Sequence, residues 1–300
     1  MINVVKKSTS KILSSMVWTF RRRIKPAYIN IRVGILSRNV KSLKGTHSGE
    51  SCFIIGNGPS LTVQDLNRIK NQVSFSSNRI NLLINQTDWK PYYYTFTDSL
   101  IASKFFDEVY NMPKKRMFVV VSNTSYTSLK KQFNKDCIFL RSYYEHRNDG
   151  LPKFSDDVSK KLFQHGTVTF ANIQLAVYMG FKNIYLLGVD HNFGISKKKD
   201  GRIEINNDLI GNDHFDKNYY STVEHKKEIP VNVYEMTEAY VSAKKYCDLS
   251  GVRIFNATRG GKLEVFPRVN FDDLFNSNGV FIGTTKTDKK DNSINDVVNI

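Results

Sequence analysis

Apolar residues along the chain gather in short runs separated by longer amphipathic stretches. The runs Cys52–Ile55, Val73–Ser76, Tyr92–Phe96, Met117–Val121, Ile138–Arg141, Ile184–Gly188 and Val252–Phe255 have strand length and predict β-strands. Between them, Leu61–Lys70, Ala102–Tyr110, Tyr126–Phe133, Val168–Met179 and Tyr234–Leu249 carry their apolar residues at helical spacing. Strands alternating with helices predict an α/β fold with a mainly parallel sheet and helices on both faces. Ligands of such sheets bind outside the carboxyl ends of the strands, so the polar residues that follow each strand are the first candidates for chemistry.

Three segments depart from this alternation. Residues 1–49 contain eleven Lys or Arg and no acid, the first carboxylate being Glu50. Within them Ile12, Leu13, Met16, Val17, Phe20 and Ile24 recur at helical spacing beside Trp18 and the Arg21–Arg23 run. That pattern predicts a basic amphipathic helix suited to an anionic headgroup layer. A basic helix packed on its own domain is the alternative, and an acid-free, Ser- and Arg-rich start also resembles a transit peptide. Between Asp190 and Pro230 the periodicity lapses into a long polar segment, expected to be a lid near residues 191–230. From about Asn276 to residue 300 the chain reads as a polar tail. The expected organisation is therefore a leader over 1–49, a catalytic domain over 50–275 and a tail over 276–300.

Charge matters once it is located. The chain carries +16 overall, and without the leader 33 basic residues face 28 acidic ones, about +5. The basic footprint lies mostly outside the domain, which argues against nucleic acid as a partner and for a membrane surface reached through residues 1–44. A composition 40% hydrophobic and 24% charged excludes collagen-like and wholly disordered readings. Cys52, Cys137 and Cys247 stand far apart without a C-x-x-C pair, which excludes a zinc ribbon and a disulfide scaffold and points to a reducing cytosol. No run approaches the roughly 18–20 apolar residues of a membrane span. The expected location is cytoplasmic, peripheral on the inner face of the cell membrane.

The strongest local signal is Gly56-Asn57-Gly58-Pro59-Ser60, which follows the first strand. The two glycines permit a sharp turn and close approach of a ligand, and Pro59 suits a first helical turn. Free amides at a helix start there form a candidate anion site for a nucleotide phosphate. A tight strand-to-helix turn capped by Ser60 is the plainer alternative. The motif is neither G-x-G-x-x-G nor a P-loop. Other strand ends deliver Asn78, Asp98, Asn123 and Asp190, and Asn57 and Asn78 could read a base or ribose through paired donors and acceptors. Thr167 or Thr169 is placed to cap the helix that Gly180 ends. Four of the six histidines fall between residues 165 and 225, and a histidine in that stretch is a candidate general base. No D-x-D, H-E-x-x-H or paired cysteine set is present, so no metal site is expected.

Gly56-Asn-Gly-Pro-Ser-Leu61 together with Gly166-Thr-Val-Thr and Ala-Val-Tyr-Met-Gly-Phe-Lys-Asn-Ile-Tyr-Leu-Leu-Gly-Val-Asp190 resembles two related groups. One is the bacterial sialyltransferases of glycosyltransferase family 42. The other is a set of bacterial surface-polysaccharide proteins sharing a domain with 6-hydroxymethylpterin diphosphokinase. Asp190-His-Asn-Phe193, His214-Phe-Asp216 and Asn256-Ala-Thr-Arg-Gly-Gly261 are closer to the second group. The resemblance spans roughly residues 50–275. It implies a Rossmann-like domain with a lid and an inverting, metal-independent glycosyl transfer. The implied donor is a nucleotide sugar, most simply a CMP-linked sialic or other nonulosonic acid, and the acceptor a glycan or lipid-linked glycan. No cofactor beyond this co-substrate is implied. Carried onto this chain, Gly56 to Ser60 and Asn78 contact the nucleotide. Thr167 and Thr169 line the donor sugar or phosphate, and Tyr219 and Tyr220 stand in for lid tyrosines. The base is His214 or His225; His214-Phe215 resembles a His-Tyr pair that precedes the family's final helix. Diphosphoryl transfer to a pterin is the rival activity, and a non-catalytic nucleotide-binding partner in glycan assembly the rival role.

Overall fold

The first strand, β1 (Ser51–Ile55), shows why the sheet is buried on both sides. Phe53 and Ile55 enter one core layer while Cys52 and Ile54 enter the other, and all four are at most 1% exposed. The computed structural model describes residues 38–122, 136–221 and 229–284, together with Met16. The remaining strands of the central sheet are β2 (Ser74–Ser77), β3 (Tyr93–Phe96), β4 (Arg116–Val121), β5 (Ile138–Tyr143), β6 (Leu162–Phe163), β7 (Asn183–Leu187) and β11 (Arg253–Asn256). Their order is β11-β7-β1-β2-β3-β4-β5-β6, and every pairing is parallel. The fold is a Rossmann-like α/β domain.

Helices α1 (Val63–Arg68) and α2 (Ser99–Tyr110) contribute to one core layer, α3 (Val168–Met179) and α4 (Val233–Ser250) to the other. Asp98 begins α2 by accepting the amides of Leu100 and Ile101, and Ile101, Ala102, Phe105, Phe106 and Val109 form its buried stripe. Helix α3 is buried on nearly every side, polar Asn172 and Gln174 included. The Gln174 amide accepts from the amides of Ser155 and Phe163 and donates to the carbonyls of Phe163 and Phe170, so β6 is tied to α3. Gly180 and Gly251 end α3 and α4 in the left-handed conformation that glycine adopts without strain.

The folded body starts before Glu50. Amides of Gly45, His47 and Gly49 donate to carbonyls at the end of α3, Val40 is fully buried, and His47 stacks on Phe181 and hydrogen-bonds the Tyr93 hydroxyl. At the other end Phe281 packs into the core and the Thr284 amide donates to the Tyr185 hydroxyl. The segment read as a long polar loop holds a small second sheet. Within it β8 (Ile195–Lys197) and β9 (Ile203–Ile205) form a hairpin, and β10 (Val231–Asn232) pairs parallel with β8. Strands of two or three residues are too short for alternation to register. The predicted helix Tyr126–Phe133, Asn123, His225 and the leader stripe apart from Met16 lie outside the described residues. Among the described residues no helix is long and apolar enough to cross a membrane.

Candidate functional site

The sheet reverses its strand order at β1. From β1 the chain proceeds through β2 to β6 on one side, then returns to place β7 and β11 on the other. The crevice at such a reversal, outside the carboxyl ends of the strands, is where open α/β sheets take ligands. Here it opens as a cleft of about 540 Å³, counting the space at its mouth.

Backbone contacts hold the loops after β1 and β7 together. Gly56 donates to the Leu187 carbonyl and Gly58 to that of Gly188, and a Cβ on Gly56 would stand 2.2 Å from the Gly188 oxygen. On Gly58 it would stand 1.8 Å from Asp190 Oδ2. These glycines therefore admit the neighbouring loop of the same chain, a reason for glycine that the motif alone did not convey. The expectation that Pro59 and Ser60 open a helix is corrected: they form a turn, and α1 starts at Val63, capped by Thr62. The Gly58 amide is also already engaged, so a phosphate cradle at this loop loses that donor. Gly58→Val would drive its side chain into Asp190 and the Gly188 carbonyl. Ser60 does not cap a helix; its hydroxyl donates to Asp190 Oδ2 at 2.8 Å.

Asp190 is 8% exposed, and burial pushes its carboxyl above the ordinary range despite the Ser60 bonds. Its backbone is pinned by the loop after β11. The Lys262 amide donates to the Asp190 carbonyl and Thr258 Oγ1 accepts the Val189 amide. Asn256 braces that loop through the Thr258 amide and the Leu263 carbonyl. Arg259 then clamps Asp65 of α1 and Asp272, which its guanidinium, with Arg68, holds down to about 2. The motif Asn256–Gly261 thus supports the cleft floor from behind.

Across the cleft, Thr167 caps α3 by accepting the Thr169 amide at 3.2 Å, and its hydroxyl lies 3.5 Å from that of Tyr240. Thr167, Val168 and Thr169 all line the cleft. From the small-sheet segment comes His214, whose Nδ1 lies 2.9 Å from Asp213 Oδ1. Its ring stacks on Tyr219 at 3.7 Å, and the Phe215 amide donates to the Asn57 carbonyl, docking this segment on the β1 loop. With Nδ1–H given to the carboxylate, Nε2 carries the lone pair, the arrangement a general base requires.

Of the residues singled out in the sequence, Gly56, Asn57, Gly58, Asn78, Thr167, Thr169, Asp190, His214 and Tyr219 line this one cleft. Pro59, Ser60, Asp98 and Tyr220 do not. Tyr220 is buried with its ring nearly perpendicular to that of His214, and burial pushes its hydroxyl pKa upward. Asp213 was missed, although an acid directly before a histidine in a polar stretch is a usable signal. His191 entered only within the Asp190-His-Asn-Phe193 stretch and as one of the histidines between residues 165 and 225. Among the described residues no group of three or more His, Cys, Asp or Glu side chains is placed to hold a metal.

No curated protein matches the chain. Among solved structures, the MAf glycosyltransferase from Magnetospirillum magneticum AMB-1 superposes with a TM-score of 0.47 at 14% identity, over 83% of this chain and 39% of that one. This chain therefore spans well under half of that protein. The sialyltransferase CstII from Campylobacter jejuni, in complex with the substrate analogue cytidine-5′-monophosphate, gives a TM-score of 0.43 at 13% identity, over 74% of this chain and 85% of that one. A family model described as 6-hydroxymethylpterin diphosphokinase MptE-like matches residues 27–196, more than half of the sequence, and the chain belongs to this MptE-like family.

Proposed function

We propose that this protein is a glycosyltransferase that moves a sugar from a nucleotide-activated donor, a CMP-linked nonulosonic acid, to a hydroxyl of a surface glycan or its lipid-linked precursor. The observation that carries the reading is His214, held by Asp213, in the same cleft as the Gly56–Gly58 loop and the start of α3. In the proposed step His214 Nε2 takes the acceptor's hydroxyl proton. The acceptor oxygen then bonds to the anomeric carbon with inversion, and the carbon–oxygen bond to the phosphate breaks, CMP leaving with the electron pair. Amides at the α3 start, with Thr167, are placed to take up charge on the departing phosphate. No metal or resident cofactor enters this scheme.

The family's own description favours a second reading, diphosphoryl transfer to a pterin hydroxyl. That reaction also needs a base but draws on carboxylates gathered around Mg²⁺. Thermal-shift and calorimetric titration with CMP, UDP, GDP and ATP, each with and without Mg²⁺, separates them. Metal-independent stabilisation by CMP supports the glycosyltransferase; stabilisation by ATP that requires Mg²⁺ sinks it in favour of the kinase. Binding of the CMP-sugar without turnover on any acceptor would point to a non-catalytic partner.

The basic leader completes the proposal as a peripheral anchor on the inner face of the membrane. Because Gly45, His47 and Gly49 bond the end of α3 and Val40 is buried in the core, the truncation that tests it removes residues 1–37 only. It should release the protein from anionic vesicles and leave turnover of a soluble acceptor unchanged. At about 1 kcal/mol per basic residue near such a surface, high salt should also detach the intact chain. Equal co-sedimentation of intact and truncated protein with those vesicles rejects the anchor.

A further inference from the structure

Two non-glycine residues among those described have positive φ, Asn78 at 52° and His191 at 53°, and both line the cleft. Asparagine visits this region readily and histidine less so, and such strain is retained where surrounding structure enforces it. His191 Nε2 lies 2.9 Å from Thr237 Oγ1 on α4. The hydroxyl of Thr237 already donates to the Val233 carbonyl one turn back, at 2.9 Å. Its oxygen is therefore left to accept, so the proton between the two belongs to His191 Nε2. In the neutral ring Nδ1 then bears the lone pair, and it is buried with no hydrogen-bond partner among the described residues. Burial, with Lys198 nearby, pushes the imidazolium down to about 4, so the ring is neutral near pH 7.

Two further buried atoms, on residues that line the cleft, share this condition. Asn57 gives its amide N–H to the Ser77 carbonyl at 3.3 Å, which orients the side chain and leaves Oδ1 without a partner. Asn78, beside the Tyr219 hydroxyl, also leaves Oδ1 without a partner. The carboxylates of Asp190 and Asp213 join the same lining, and no Lys or Arg belongs to it among the described residues. Buried acceptors without donors are costly and rare, and a ligand supplying N–H or O–H groups relieves them.

We propose that His191 is a specificity-determining acceptor whose Nδ1, with Asn57 Oδ1 and Asn78 Oδ1, receives a donor-rich ligand group such as the exocyclic amine of an aminated heterocycle. The proposal deepens the nucleotide reading of this cleft and rests on it only for the choice of nucleotide. It places phosphate away from this wall, because phosphate oxygens are acceptors too. An amine is distinguished from its oxo analogue by polarity alone: a carbonyl in the amine's place sets two acceptors face to face.

The test is calorimetric titration of the full chain with CMP against UMP and with AMP against IMP, each pair differing in an amine replaced by an oxygen, with the adjoining ring nitrogen changed from acceptor to N–H donor. N-acetylneuraminic acid and 6-hydroxymethylpterin serve as further arms, for hydroxyl donors and for an amine outside a nucleotide. At least one amine-bearing nucleotide should bind about tenfold or more tightly than its oxo partner. His191→Gly, which accepts the positive φ, should reduce that ratio to within about twofold while the melting temperature stays near wild type. His191→Asn, which keeps an acceptor and tolerates the same backbone, should retain part of the discrimination. Unchanged affinity and discrimination in a folded His191→Gly overturns the proposal. Should no nucleotide bind while the sugar or the pterin does, and His191→Gly weakens it, the acceptor role stands and the nucleotide reading falls. Binding of none of these ligands to wild type rejects both.

Discussion

Replacing His214 with alanine should lower turnover of a CMP-activated sugar by about 100-fold or more, the usual contribution of a positioned general base. The loss should fall on kcat, with donor affinity little changed, because the base serves the acceptor hydroxyl. Asp213→Asn should have a smaller effect of the same kind, since an amide can no longer stabilise the imidazolium formed as the proton arrives. His214 also stacks on Tyr219, so a melting curve must show the variant folded before its kinetics are read. His225→Ala is the control, lying outside the described residues in the following stretch. Normal activity in His214→Ala with loss in His225→Ala exchanges the two roles. Normal activity in both removes histidine from the mechanism and leaves Asp190, buried and bonded to Ser60, as the next candidate.

Gly56→Val should abolish folding, and Gly56→Ala should destabilise the protein by about 3 kcal/mol or more, at the upper end of overpacking effects. The atom such a Cβ meets is backbone, the Gly188 carbonyl at 2.2 Å, and no side chain can rotate away. Relief requires β1 and β7 to part, and these neighbours share five paired positions in the middle of the sheet. Gly201→Ala separates this steric effect from glycine's conformational freedom. Gly201 has φ of 86° with nothing within 4 Å of a Cβ, so its substitution should show only the left-handed penalty of about 1–2 kcal/mol. Urea denaturation of the three proteins measures the difference. A Gly56→Ala protein within about 1 kcal/mol of wild type would mean the two loops do not approach as described.

Features with local causes were legible in the sequence. The uninterrupted apolar run of β1 announces a strand buried on both faces, and the alternation of runs and helices announces the parallel sheet. The 3.6-residue spacing in α2 and the Thr167 and Gly180 punctuation of α3 are decided by side-chain sterics and capping within a few residues. The dipeptide Asp213-His214 belongs to the same class, its members being neighbours in the chain. Features requiring closure of long loops were hidden. Ser60 meets Asp190 across 130 positions and Arg259 meets Asp65 across 194, distances over which no local pattern operates. Glycine at position 56 reads identically whether a ligand or Gly188 fills the space beside it, and only packing decides. The free nitrogen of His191 was likewise set by tertiary contact, because it depends on where the Thr237 proton goes on a helix 46 residues away. The sequence determined strands, helices and their caps through short-range sterics and periodicity. The order of strands in the sheet decided which polar groups share a cleft and which of their atoms remain to meet a ligand.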